Sequence, residues 1–406
     1  MQNSASVNPS IEAVQDPLEA EQAQVRAGRL VSVDFARGLV MVLMALDHVR
    51  DFTSSARFAP EDLNETSPAY FFTRWITHFC APLFVLLAGM GAGFMRASRS
   101  PRELSIFLFT RGVWLIFIEQ TVMSFGWSFV QPQGYAFVLT TLSMIGFCMI
   151  SMAVFIHLPR LPLLLLSLAL IAGHNLLDGR LPMPEEGAPP LWYGLHEDIF
   201  TRIAGIPLVV VYPLLPWLAV MPLGYLLADL YKQPADSRRR VLTLLGGGAI
   251  ALFLLLRGFN IYGDPVPWEG QVSFGMTLVS FFNLEKYPPS LLYLLMTLGP
   301  GLLLLAWSER LRGPLVDVIN TFGRVPFAYY VLHIYIAHLL ALGLAQWQGF
   351  GWFAAAGGWW TLPEGYGLPL PVVYLVWLAV VALLYPFCRW LAAVKARRRD
   401  WWLSYL

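Results

Sequence analysis

The residues best suited to chemistry lie in one apolar stretch, RLVSVDFARGLVMVLMALDHVRDF. Asp34 and Arg37 are three residues apart, a spacing that pairs them on one helical face. His48 follows Arg37 by eleven residues, which on a helix returns to within about 20° of the starting direction, roughly 16 Å further along the axis. A carboxylate, a guanidinium and an imidazole therefore share one stripe of one helix. Neutral imidazole can take a proton from an attacking group or act as the nucleophile itself. A guanidinium grips phosphate well. Asp47 and Asp51 flank His48, and Asp47 is placed to orient it or tune its protonation. Arg50 follows Asp47 by three residues and can neutralise it. Arg50 and Asp51 read as a snorkelling pair at a helix end.

Further ionisable residues fall in other apolar runs, where each costs at least a few kcal/mol unless it faces a cavity or a partner. In YFFTRWITHFCAPLFVLLAGMGAGF, Arg74 and His78 are at i and i+4. Arg111 opens a third run and Glu119 sits mid-way along it. A lone buried glutamate is protonated or paired. Arg111 is roughly 12 Å away along the axis, so a partner from another run is expected, with His48 and Arg74 as candidates. In TFGRVPFAYYVLHIYIAHLLA, Arg324 comes first, then Tyr329 and His333 at i and i+4, then His338. His157, His174 and His196 fall at run ends or in loops and receive no role. There is no HExxH or comparable ligand spacing, so no metal is expected. GMGAGF is not a nucleotide loop, because no strand precedes it. Its small residues instead admit a close neighbouring helix.

The elements that position these groups are membrane helices. Of 406 residues, 57% are hydrophobic and 13% charged, against about 25% charged in a soluble domain. Runs long enough to span a bilayer occur at 31–52, 70–95, 105–126, 135–157, 161–178, 205–231, 241–257, 288–308, 322–346 and 370–394. The fold class expected is an all-α polytopic integral membrane protein with about ten transmembrane helices. Residues 1–28 read as a disordered cytoplasmic tail, 29–396 as the multi-span domain, and 397–406 as a cytoplasmic C-terminal tail. Arg26, Arg29, Arg96, Arg99, Arg102, Arg160, Lys232, Arg238, Arg239, Arg240, Arg310 and Arg312 fall in one set of alternating loops and the alternate set is poor in cations. The positive-inside rule then puts both termini in the cytoplasm. The outer loops, such as PEDLNETSPAY and MPEEGAPPLWYGLHED, are rich in aromatic residues and acids. They read as interfacial anchors or as a carbohydrate-binding vestibule. A net charge of +1 gives no field for nucleic acid. The three cysteines all lie in apolar runs, which argues against a disulfide framework.

Taken together, SVDFARGLVMVLMALDHVRDF, FFTRWITHFCAPLFVLLAGMGAG, RGVWLIFIEQ, KYPPSLLYLLMTLGPGLLLL and FGRVPFAYYVLHIYIAH resemble the bacterial proteins similar to heparan-α-glucosaminide N-acetyltransferase, within a wider group of transmembrane acyltransferases. The resemblance covers most of 29–346. In related families that modify surface polysaccharides, a first-span histidine is the catalytic one, and it maps onto His48. The lysosomal enzyme has its proposed catalytic histidine in the loop before the second span, and an asparagine at the position of His48. Here that loop, RFAPEDLNETSPAYFF, has no histidine, so either His48 or His78 takes the role or this branch does different chemistry. The resemblance implies transfer of an acetyl or other acyl group from cytoplasmic acetyl-CoA or another acyl-CoA. The acceptor would be an amino sugar, glycan or glycolipid at the outer face. His48, Asp47, His78 and Glu119 are then the catalytic candidates. Asp34, Arg37, Arg111 and Arg324 are the candidates for holding CoA, and Arg74, Tyr329 and His333 line the passage between. Membrane lipids are the expected surroundings, a homodimer is left open, and the expected location is the bacterial cytoplasmic membrane. The alternative is a transporter or flippase using a buried His/Glu/Arg pathway, against which the lack of an inverted repeat counts.

Overall fold

The computed structural model describes residues 31–130, 136–180, 194–203, 206–398 and 400–404. The expected tail at 1–28, including Arg26, lies outside the described residues, as does Arg29. So does most of the aromatic loop at 183–198.

Helix α1 (Val31–Thr53) is continuous through the whole charged stripe. It has too many charges to qualify as a membrane span on composition. It is nonetheless the centre of the bundle, packed by six other helices, so protein rather than lipid surrounds its ionisable groups. Helix α2 (Pro68–Trp75) runs through a 3-10 turn (Ile76–Phe79) into α3 (Cys80–Met95). Pro82 has no N–H to give the carbonyl four residues back. That carbonyl, of His78, instead accepts from the Tyr293 hydroxyl at 2.8 Å.

Helix α4 (Pro101–Ile118) opens on a capping box between Ser100 and Glu103 and passes through a π-turn (Glu119–Met123) into the short α5 (Ser124–Trp127). Strand β1 (Phe137–Leu139) precedes α6 (Thr141–Phe155). Helix α7 (Arg160–Gly173) ends in a 3-10 turn (His174–Leu177). Strands β2 (Ile199–Ile203) and β3 (Ile206–Val210) follow, giving a sheet of order β1-β3-β2 with β3 parallel to β1 and antiparallel to β2. The remaining helices are α8 (Trp217–Leu227), α9 (Ala235–Gly258), α10 (Phe274–Phe282), α11 (Leu291–Ser308), α12 (Pro314–Arg324), α13 (Pro326–Trp347) and α14 (Leu370–Arg397).

Among the described residues, seven helical runs are long and apolar enough to cross a membrane: Pro68–Met95, Pro101–Trp127, Arg160–Leu177, Ala235–Gly258, Leu291–Ser308, Pro326–Trp347 and Leu370–Arg397. The protein is a multi-pass α-helical membrane protein. Three expectations need correction. The run at 205–231 begins as strand β3, and its helix starts only at Trp217. Pro207, Pro213 and Pro216 remove the N–H groups that an earlier helix would need. The run at 135–157 likewise begins as β1. The run at 322–346 is broken at Val325, because Pro326 disfavours helix in the residue before it. Arg324 therefore ends α12 rather than lying in the span.

Glycines set two of the closest crossings. A Cβ on Gly38 would lie 1.9 Å from the Ile319 carbonyl oxygen, and one on Gly323 would lie 1.9 Å from that of Asp34. Helices α1 and α12 thus touch backbone to backbone, which brings Arg37 and Arg324 to the same carboxylate. Gly89 of the GMGAGF stretch and Gly224 make the equivalent contact between α3 and α8. At one end of the bundle, Arg96, Arg160 and Lys232 converge on Asp229. Arg238 pairs with Glu309 there through two bonds of 2.9 Å.

Candidate active site

The periodicity of α1 turns His48 toward α13, where it meets His333. His48 Nδ1 lies 2.6 Å from His333 Nε2, and the rings stack with centroids 4.9 Å apart. His333 Nδ1 is 3.0 Å from the Tyr329 carbonyl oxygen one turn back. A carbonyl only accepts, so His333 carries its proton on Nδ1. Its Nε2 is then a lone pair, and the proton of the short bond belongs to His48 Nδ1. This leaves His48 Nε2 as the proton acceptor. Trp127, at the end of α5, sets its ring edge against His48 at 4.9 Å and 83°. His333 is fully buried, whereas His48 is part-exposed to a cavity of about 30 Å³. That volume is enough for a water molecule or two.

The cavity is polar on its loop side, where Asp47, Thr77, Thr141, Tyr212 and Lys286 line it. Asp47 pairs with Arg50 at 2.8 Å, as the i, i+3 spacing predicts, and also with Arg74 from the neighbouring helix. Arg74 also donates to Glu61 at 2.8 Å, and His78 Nε2 lies 3.7 Å from the same carboxylate. Burial pushes the Glu61 carboxyl up, but the Arg74 guanidinium, helped by His78, outweighs it and holds the group below the ordinary carboxylate range. Lys286 stands 4.9 Å from the Tyr287 ring and 5.8 Å from that of Tyr212. His78 thus joins the network through Glu61 and lies outside the cavity wall. Sequence reasoning missed Glu61, Lys286, Tyr212 and Trp127 as site residues. Their loops and short turns carry no periodicity that would have singled them out.

Glu119 meets neither His48 nor Arg74. Its Oε2 accepts from the Leu142 backbone N–H at 2.8 Å, satisfying a donor at the start of α6 from another helix. The two His338 ring nitrogens lie 2.8 Å from the Gly126 carbonyl oxygen and 2.9 Å from that of Ala355, which sets α13 against α5 and the 3-10 turn Trp352–Ala355.

At the far end of the α1 stripe a second cluster forms. Arg37 Nη1 is 3.5 Å from Asp34 and Arg324 Nε is 3.8 Å from it. Arg111 lies over the Trp114 ring at 4.6 Å and the Phe327 ring at 5.8 Å. Lys395, near the end of α14, sits within electrostatic reach of Arg111, Arg37 and Asp34. Between the two clusters, Tyr329 stacks on His333 at 5.6 Å, and its buried hydroxyl has no hydrogen-bond partner among the described residues. All four residues expected to hold CoA therefore belong to one end of the bundle, and His48 and His333 to its interior.

Residues 29–259 match the family model of the heparan-α-glucosaminide N-acetyltransferase catalytic domain, which is more than half of the chain. The chain belongs to this family. No curated protein matches it. Membership in the heparan-α-glucosaminide N-acetyltransferase family supports a membrane-acetyltransferase kind of function. The matched stretch contains Asp34, Arg37, Asp47, His48, Arg74, His78, Arg111 and Glu119. It stops short of Lys286, Arg324, Tyr329, His333 and Lys395, which come from a loop and three helices beyond the family match.

Proposed function

We propose that this membrane protein moves an acetyl or other acyl group from acyl-CoA on the cytoplasmic side to an amine or hydroxyl of an amino sugar, glycan or glycolipid on the outer side. The observation that carries this reading is the His48–His333 pair, which leaves one imidazole nitrogen basic at the wall of a buried polar cavity. The acceptor's nitrogen or oxygen attacks the thioester carbonyl carbon while His48 Nε2 takes its proton. The His48 Nδ1–H bond to His333 stays in place throughout. Lys286 and Thr141, on the cavity wall, are positioned to stabilise the oxyanion. As the intermediate collapses the C–S bond breaks, and the CoA thiolate leaves with the proton from His48.

Arg37, Arg111, Arg324 and Lys395 hold the CoA phosphates, with Asp34 fixing the two arginines it touches. The acyl-bearing arm then runs along α1 past Tyr329 toward His48. A cavity of about 30 Å³ admits the reacting atom and not the sugar that bears it. The rest of the acceptor is therefore held by the aromatic loops. The cation-rich loops support a cytoplasmic location for both termini and insertion in a bacterial cytoplasmic membrane.

Purified protein incubated with radiolabelled acetyl-CoA and mixed amino sugars tests the reading. Wild type transfers label, and His48→Ala loses about 10²–10⁴-fold of the rate. Failure of wild type both to transfer label and to bind CoA removes the proposal.

A further inference from the structure

Apart from the acyl-transfer site, we propose that His174, Asp178 and His196 form a divalent-metal site suited to zinc, which braces the loop end of α7. One ligand atom from each residue falls within a group spanning no more than 4.8 Å. His196 Nε2 is already 3.0 Å from Asp178 Oδ1. Donors around a tetrahedral zinc lie about 3.3 Å apart, given Zn–N and Zn–O lengths near 2.0–2.2 Å. One edge of the site is therefore at metal-binding distance, and the longest must close by about 1.5 Å, a small side-chain adjustment.

A second observation points to a ligand. His174 is 2% exposed, and neither of its ring nitrogens has a hydrogen-bond partner among the described residues. A buried imidazole with no bond at either nitrogen is costly, and an ion ligated by one of them relieves that cost in part. The carboxylate is also held ready. Asn175 Nδ2 donates to Asp178 Oδ2 at 2.9 Å, and Asn175 Oδ1 accepts from the Leu291 N–H at 2.9 Å, fixing the pair to the start of α11. Such outer contacts orient ligands and tune metal affinity. Two imidazoles and a carboxylate suit zinc among the common divalent ions and leave a fourth position for water.

The consequence is mechanical. Leu214 and Leu215 donate backbone bonds to Gly194 and Leu195, beside His196, at 3.0 and 2.8 Å. A bound ion would thus tie the end of α7 to the segment that follows Tyr212, a residue of the cavity wall. The chain spacing, with His196 eighteen residues after Asp178, matches no compact ligand motif, which is why sequence alone argued against a metal.

The test uses the full chain in detergent, stripped with a chelator and then titrated with Zn²⁺ against a chromophoric competitor. One ion per chain is expected, with a metal-dependent rise in melting temperature. Co²⁺ in its place should give the visible bands of a tetrahedral N/O site without a thiolate charge-transfer band. Asn175→Ala should weaken binding by about 10–100-fold, and His174→Ala or His196→Gln by more. Wild type that binds no Zn²⁺ in competition overturns the proposal whatever the variants do. So does affinity unchanged in both His174→Ala and His196→Gln.

Discussion

Replacing His333 by leucine isolates what the paired imidazoles do. The 2.6 Å bond from His48 Nδ1–H to His333 Nε2 fixes His48 in the tautomer that leaves Nε2 basic. Leucine fills much of the same volume but accepts nothing. The His48 Nδ1–H is then stranded in an apolar setting, which costs about 1–3 kcal/mol. The opposite tautomer, with its proton on Nε2, becomes competitive. At about 1.4 kcal/mol per tenfold, the fraction of enzyme holding the productive tautomer, and with it kcat, falls by about 5–150-fold. KM for acyl-CoA should not move, because Arg37 lies roughly 16 Å away along α1. Glutamine at the same position brings a carbonyl oxygen that can accept the same proton, so His333→Gln should recover most of the loss. The assay is steady-state transfer of label from acetyl-CoA to amino sugars in detergent. The reasoning fails if His333→Leu turns over like wild type, or if Gln is as slow as Leu. It also fails if the loss appears only in KM for the donor.

Three further outcomes follow from other parts of the structure. Arg37→Ala and Lys395→Ala should each raise KM or Kd for acyl-CoA by about 10–100-fold, since a charge-assisted bond is worth about 1.5–3 kcal/mol; binding of CoA itself, followed by calorimetry, checks this, and unchanged affinity in both would move the donor site elsewhere. Gly323→Ala drives a methyl to 1.9 Å from the Asp34 carbonyl oxygen, so melting in detergent should show a loss of about 1–3 kcal/mol, while Gly91→Ala, with nothing within 4 Å, should be neutral or better. Glu61 is held below its ordinary value of 4.5 by Arg74 despite its burial, so its contribution is present above that pH and is lost only as pH falls far below it. Glu61→Gln should therefore cost about 1 kcal/mol at neutral pH, with the gap from wild type persisting to pH 4.5 and closing only in stronger acid; a gap already closed at pH 6 would contradict the pairing.

The sequence alone determined the environment and the stripe. Long apolar runs have few soluble solutions, and in a bilayer a helix satisfies every backbone group within itself. The alignment of Asp34, Arg37 and His48 followed from helical periodicity, which is a local property. Gly89 in its small-residue stretch likewise announced a close helix contact. Partners across the bundle were beyond its reach. Asp47 met Arg50 on its own helix, as the spacing predicts, but its second partner, Arg74, came from α2. The group that orients His48 comes from His333, 285 residues away. Glu119 found a backbone N–H on α6 instead of a charge. Lys286 reaches the cavity wall from a loop, and Lys395 reaches the Asp34–Arg37 cluster from a helix end. Strand β3 (Ile206–Val210) replaced the start of the expected helix at 205–231 because proline and the sheet's pairing outweighed hydrophobicity. Which side chains meet depends on how helices cross, and glycine contacts such as Gly38 against α12 set those crossings only once the chain is packed.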